Sequence, residues 1–306
     1  MDLAVKTASV QRPHKRRINR DMLLAILVLT PSILAVAIFI YSFIAWTFWI
    51  SAVNWNDVVP DFTFVGLKNW VSVLSNSRFQ IDIRNLVLYA IGFMAQCVVF
   101  GFLLAAVLDQ RIKGEGIFRT IYIFPFAVSA IVTGVAWRWV MRPDSGINLL
   151  LDGVGLGAFK SLWYSHPTLG ILFVTIAASW QFVGYIMALY LAGLRGISQE
   201  VREAAMIDGC SAVSMYRHII IPMLSGITFT AIVLTGMGAI RAFDIIAAIG
   251  GSGQAFSTDT LAYNMFEQTF LANRYSLSAV IGAVMIIISS LLVVPYLISA
   301  QKETER

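Results

Sequence analysis

Six stretches of this chain stay apolar for about 20 residues or more, the length a helix needs to cross the hydrocarbon of a bilayer. They run roughly over 22–46, 86–108, 120–141, 169–194, 219–242 and 277–300. In lipid, every backbone N–H and C=O must find its partner within its own segment or in a closed barrel. Barrel strands are half as long and alternate polar with apolar residues, which these runs do not. The expectation is therefore an all-α polytopic membrane protein with six transmembrane helices. Composition agrees: only 13% of the 306 residues are charged and 58% are hydrophobic, with a mean hydropathy of +0.77. A soluble domain averages about 25% charged residues. The membrane-spanning body covers 22–300, with a basic tail over 1–21 and a short tail over 301–306. No internal repeat or low-complexity segment stands out.

Lys and Arg set the orientation, because they concentrate on the cytoplasmic side. With six spans, one side receives Lys6, Arg12, Lys15, Arg16, Arg17, Arg20, Arg111, Lys113, Arg119, Arg195, Arg202, Arg217, Lys302 and Arg306. The other receives only Lys68, Arg78, Arg84, Arg142, Lys160 and Arg274, spread over longer loops. Both tails and the 195–222 connection are thus expected in the cytoplasm, and the net charge of +5 reflects orientation rather than nucleic-acid binding. The first apolar run is longer than the 7–15 residues of a signal-peptide core, so it reads as an uncleaved helix. Trp46, Trp49 and Trp55 at its far end read as an aromatic belt. The outer connections 47–85 and 243–276 read as partly ordered loops or short surface helices. Cys97 and Cys210 fall at different depths and suggest no disulfide, and His14, His166 and His218 have no metal-ligand spacing.

The connection from Arg195 to Pro222 is long and helix-prone for a membrane loop. Ser198 is placed to cap a helix, Gly209 breaks it, and Ser211 starts a second short helix. Pro222 falls in the first turns of the fifth span, where its missing N–H costs little. Ala204 and Ala205 leave room for another helix, while Arg202, Glu203 and Asp208 offer charges to a partner. An amphipathic loop lying on the membrane surface is the plainer reading of the same residues.

Glu203, Ala204, Ala205, Gly209, Ile219 and Pro222 resemble the loop of ATP-binding-cassette importer permeases, in which Glu-Ala-Ala, three residues, Gly, nine residues and Ile-x-Leu-Pro follow in order. Ile221 replaces the usual Leu. The pair Asp208-Gly209 is similar to that of carbohydrate-uptake permeases. FVGLKNW at Phe64–Trp70, PFAVSAIVTGVAWRWVMRPDSGINLL at Pro125–Leu150 and IGGSGQAFSTDTLAYNMF at Ile249–Phe266 resemble the same subfamily, and the first and last resemble the first-type subunit of a maltose- or glycerol-phosphate-type pair.

The resemblance implies a heterodimer with a second related permease, two ATPase subunits beneath it, and an extracytoplasmic solute-binding protein that delivers a sugar or sugar-like polyol or glycoside. Arg202, Glu203, Ala204, Ala205, Asp208, Gly209 and Pro222 would then form the ATPase-coupling loop. ATP-driven closure of the ATPases would turn the cavity from inward-facing to outward-facing. ATP and Mg would sit on the ATPases, because this chain lacks a Gly-x-x-x-x-Gly-Lys-Ser/Thr phosphate loop. GVGLGAFKS at Gly153–Ser161 has no Gly before Lys160 and reads as a loop.

Polar groups inside spans tend to face a cavity or another helix. Tyr89 and Gln96 in the second span, and Trp180, Gln181 and Tyr185 in the fourth, are candidate substrate-path residues, as are Trp137 and Arg138 at the end of the third. Aromatic faces and amides suit sugars. Helix–helix hydrogen bonding is the plainer role for these residues and for Thr228, Thr230 and Thr235. Arg241 and Asp244 would share a helix face if the fifth helix continues, as a local ion pair or a contact for an anionic substrate. An ion-gradient-driven secondary transporter is the alternative, but it would usually show mid-membrane acids and inverted repeats. A membrane enzyme would need a catalytic cluster, which cannot be assembled here.

Overall fold

A computed structural model describes residues 20–304 apart from Arg111. Lys6, Arg12, His14, Lys15, Arg16, Arg17, Arg111 and Arg306, and the side chains of Arg20 and Lys302, lie outside the described residues. The chain forms α1 (Arg20–Ser51), α2 (Lys68–Leu74), α3 (Ser77–Asp109), α4 (Glu115–Ala127), α5 (Ala130–Val140), α6 (Ile147–Gly153), α7 (Gly170–Gly196), α8 (Gln199–Ile207), α9 (Ala212–Met215), α10 (Ile221–Met223), α11 (Ser225–Ile240), α12 (Asp244–Ile249), α13 (Leu261–Phe266) and α14 (Tyr275–Thr304). No strand forms among the described residues, and Val53 and Phe64 make one isolated antiparallel bridge. The fold is all-α.

Residues 20–46 belong to a first unit. They are a single helix that carries Pro31, and its Leu27, Val28, Ile33, Ile38 and Phe39 are all exposed. An apolar surface on every side of a helix belongs in lipid or against protein.

From residue 47 onward the chain is a second unit. Among the described residues, four helices are continuous and apolar enough to cross a membrane: Leu27–Ser51 of α1, all of α3 and α7, and Tyr275–Ile298 of α14. The third and fifth apolar segments are bent instead of straight. α4 and α5 meet at 99°, and Ala212–Met223 meets α11 at 68°. The count is six if each bent pair is one span. The first bend follows Pro125, which removes a helical N–H, and Val128 and Ser129 then take extended ψ angles of 141° and 139°. The second bend follows Pro222 and a π-helical turn over Tyr216–Ile220. Pro222 sits at the first positions of α10, where its missing N–H costs little.

α3 and α7 pack against each other more than any other pair. Tyr89, Phe93 and Cys97 of α3 meet Val174, Ile186, Met187 and Tyr190 of α7 in the main core. Small residues set the approach. A Cβ on Gly101 would lie 2.8 Å from Ile186 Cγ2, and one on Gly184 would lie 1.8 Å from the carbonyl oxygen of Tyr122 in α4. The second obstacle is backbone and cannot rotate away. Gly184→Ala is expected to push α4 off α7 and destabilise the chain by about 3 kcal/mol or more, at the upper end of overpacking. A thermal midpoint in detergent equal to wild type would contradict this close approach.

The connections 47–85 and 243–276 are more completely built than the sequence suggests. Asn69 Nδ2 donates to the carbonyls of Ser51 and Val53, at 3.0 and 2.7 Å. Trp55 and Ser276 exchange two bonds: Trp55 N–H to Ser276 Oγ at 2.9 Å and Ser276 N–H to the Trp55 carbonyl at 2.8 Å. The Trp55 ring packs on Tyr275 at 4.6 Å, so it serves the loop core. At the start of α3, Arg78 Nε donates to Asp259 Oδ2 at 2.6 Å, and the same guanidinium pairs with Glu267. Asn264 Nδ2 donates to Asp82 Oδ2 at 2.6 Å, and Asn85 Nδ2 donates to the carbonyls of Phe256 and Asp259. Asp82, Asn85 and Asp259 are fully buried. This network holds Ala255 and Phe256 at φ of 52° and 61°, a region that side chains other than glycine rarely adopt. The Arg78 guanidinium also lies 4.8 Å from the centre of the Phe256 ring.

Candidate functional site

The long connection folds as an elbow of two helices. Ser198 stands at the N-cap of α8, though its side chain makes no capping bond, and Glu200 in the first turn complements the helix dipole. Gly209, at φ 78°, closes α8. Its N–H donates to the Met206 carbonyl at 3.1 Å and the Cys210 N–H donates to the Ala205 carbonyl at 2.9 Å. That is the paired-bond ending a left-handed residue permits. Ser211 then accepts from the Ser214 N–H at 3.3 Å and starts the second helix. The elbow has two faces. Ala205 is buried, whereas Glu203, Ala204, Asp208 and Gly209 are exposed. Three apolar side chains stand out around the turn: Ile207 is 86% exposed, Val213 79% and Met206 55%. Sequence reasoning passed over these three, although none falls in phase with Ala205 on α8 or belongs to a membrane run.

Arg202 does not offer its charge outward as expected. Its Nη1 donates to Asp109 Oδ2 at 2.6 Å and its Nη2 donates to the Leu194 carbonyl at 2.7 Å. Nearby, Arg195 Nη2 pairs with Glu115 Oε1 at 2.6 Å. These pairs line an open polar cleft of about 890 Å³ between the ends of α3 and α7 and the starts of α4 and α8.

The candidate path residues divide into two groups. Gln96 is held between α3 and α7: its Nε2 donates to Thr175 Oγ1 at 2.6 Å, and its Oε1 accepts from Ser179 Oγ at 2.8 Å. Gln181 Nε2 donates to the Val128 carbonyl at 2.6 Å, satisfying a backbone group that the bend leaves free. Tyr89 is buried against Phe93, with ring centres 5.6 Å apart. Thr228, Thr230 and Thr235 each bond a carbonyl one turn back in their own segment. All of these contacts lie within the chain. Trp137 and Trp180 meet edge to face at 6.0 Å, and Tyr185 stacks on Phe126 at 4.8 Å. Trp180 remains 45% exposed and Tyr185 36%. They form an aromatic surface beside the bend.

Arg138 and Arg241 are exposed. α11 stops at Ile240 and α12 starts at Asp244, so the helix does not continue and no Arg241–Asp244 ion pair forms. Arg241 Nε instead reaches the Met237 carbonyl at 3.5 Å.

Residues 97–301 match the family described as the binding-protein-dependent transport system inner membrane component. A probable ABC transporter permease of Pyrococcus horikoshii is 36% identical, over 95% of this chain and all of its own length. A xylose/arabinose import permease of Haloferax volcanii is 32% identical, over 87% of this chain and 84% of its own. A trehalose/maltose transport system permease of Thermococcus litoralis is 31% identical, over 81% and 85%. Among solved structures, a bacterial ABC transporter that imports alginate superposes with a TM-score of 0.75 at 18% identity, covering 94% of this chain and 97% of that one, and so shares the fold. Fold, elbow and relatives agree: the chain belongs to the binding-protein-dependent inner-membrane component family and is a permease subunit of an ABC importer.

Proposed function

We propose that this permease passes a sugar or a sugar-like polyol or glycoside into the cell, as one of two related permeases above two ATPase subunits. ATP and Mg are bound by the ATPases, and a solute-binding protein delivers substrate from outside. The tails and the elbow face the cytoplasm, where Arg195, Arg202 and Arg217 join the charge bias of the sequence. The observation that carries the reading is the exposed apolar set Met206, Ile207 and Val213 on an elbow that Gly209 closes. Exposed apolar side chains on an ordered turn are costly in water and suit a groove in a protein partner. Glu203 and Asp208 beside them supply charge at the rim.

The sugar class is supported by relatives named for xylose/arabinose and trehalose/maltose transport. Aromatic faces such as those of Trp137, Trp180 and Tyr185 stack on the C–H faces of sugars. The reading is tested by ATP-dependent uptake of a panel of neutral and anionic sugars in proteoliposomes that hold the assembled transporter and its binding protein. Arg138, Arg241 and Asp244 give that panel a second use. If an arginine meets an anionic substrate, Arg241→Ala lowers uptake of the anionic sugar about tenfold, the value of one charge-assisted bond. Uptake of the neutral one is then unaffected. Equal losses for both would remove the anion contact.

A further inference from the structure

The elbow is fastened to the membrane body through Arg202. Its two donors reach two different helices: Asp109 is the last residue of α3, and the Leu194 carbonyl lies in the last turn of α7. Both charges are largely out of water, with side-chain exposures of 17% for Arg202 and 6% for Asp109. A guanidinium presents its donors in a fixed planar fork, so the two bonds constrain direction as well as distance. α3 and α7 are also the helices that pack most extensively on each other and are cross-bonded by Gln96. A displacement of α8 is therefore transmitted to both at once.

We propose that Arg202, through Asp109 and Leu194, is the positioning residue that passes movement of the docked elbow to α3 and α7, and not a contact for the ATPase. This rests on the elbow being the docking element. The division of labour follows from its two faces: Met206, Ile207 and Val213 point away from the body, while Arg202 and Ala205 are turned into it.

The test uses the assembled transporter in liposomes with three readouts: ATPase retained on co-purification, ATP hydrolysed, and substrate taken up. Asp109→Asn removes the charge pair at constant shape. Arg202→Lys keeps the charge and loses the fork. Both are expected to retain the ATPase and to raise ATP hydrolysed per substrate molecule about tenfold, within the 5–150-fold range of site-to-site coupling. Asp109→Glu, which keeps the carboxylate, is expected to recover most of the wild-type ratio. A wild-type ratio in Asp109→Asn or Arg202→Lys would overturn the proposal. So would loss of the ATPase from either variant, which would make the pair part of the docking surface. If the wild-type chain itself purifies without an ATPase, it is the docking reading that fails.

Discussion

Replacing Met206 and Ile207 together by aspartate is expected to abolish ATP-driven uptake while the subunit still folds and inserts. Ile207 is 86% exposed and Met206 55%, so the isolated chain loses little buried contact. On the docking proposal they would be the apolar anchors of the elbow. Anchors of this kind are worth about 2 kcal/mol or more each, roughly thirtyfold in affinity. The pair then accounts for about a thousandfold weakening before the desolvation of two new carboxylates is added. Gly209→Pro should have a similar effect by a different route. Proline holds φ near −65° and has no N–H, whereas Gly209 sits at φ 78° and donates to the Met206 carbonyl. Glu203→Lys reverses an exposed charge at the rim and should weaken docking less. Co-purification of the ATPase reads the result, and an aspartate double variant that retains both ATPase and uptake would contradict the docking role.

Arg78→Ala is expected to destabilise the chain by about 3–5 kcal/mol, because it leaves a buried carboxylate without its partner. Asp259 is fully buried and accepts from Arg78 Nε at 2.6 Å. Burial already pushes the Asp259 carboxyl above the ordinary carboxylate range, and Arg78 offsets only part of that push. Without Arg78 the rise is larger. A carboxyl whose folded pKa is raised keeps a proton that the unfolded chain releases, so stability falls as pH rises between the two values. The loss in Arg78→Ala should therefore be greater at pH 8 than at pH 5. Arg78→Met combined with Asp259→Asn should recover part of it, since exchanging a whole buried pair is far cheaper than breaking one. Reversible unfolding in mixed micelles across this pH range is the measurement. Equal stability of Arg78→Ala and wild type at pH 8 would show that the pair is not needed.

Apolar run length was enough to read an all-α membrane protein, because lipid leaves the backbone so few choices. The elbow was legible for a local reason: Gly209 and Ser211 act through bonds to residues within five positions. Its apolar tip was legible in principle, since Met206 and Ile207 fall out of phase with Ala205. What the sequence hid depends on contacts between distant segments. Arg202 looked like a surface charge because Asp109 lies 93 positions away. The Gln181 contact was hidden because nothing local shows that the chain breaks at Val128 and takes a donor there. The bends in the third and fifth apolar segments were concealed for the opposite reason: hydropathy is blind to a 99° turn when the residues on both sides remain apolar. The network of Arg78, Asp82, Asn85 and Asp259 joins two connections that read separately as partly ordered loops or short surface helices.

We propose that this chain is coupled through its elbow to a separate ATPase. The most direct measurement is purification of the tagged chain from its native membrane, with mass spectrometry of whatever accompanies it, followed by uptake assays with and without ATP. A second permease and an ATPase are expected in the complex, with uptake that requires ATP and the binding protein. A chain that purifies alone and transports in vesicles driven only by an ion gradient would contradict it.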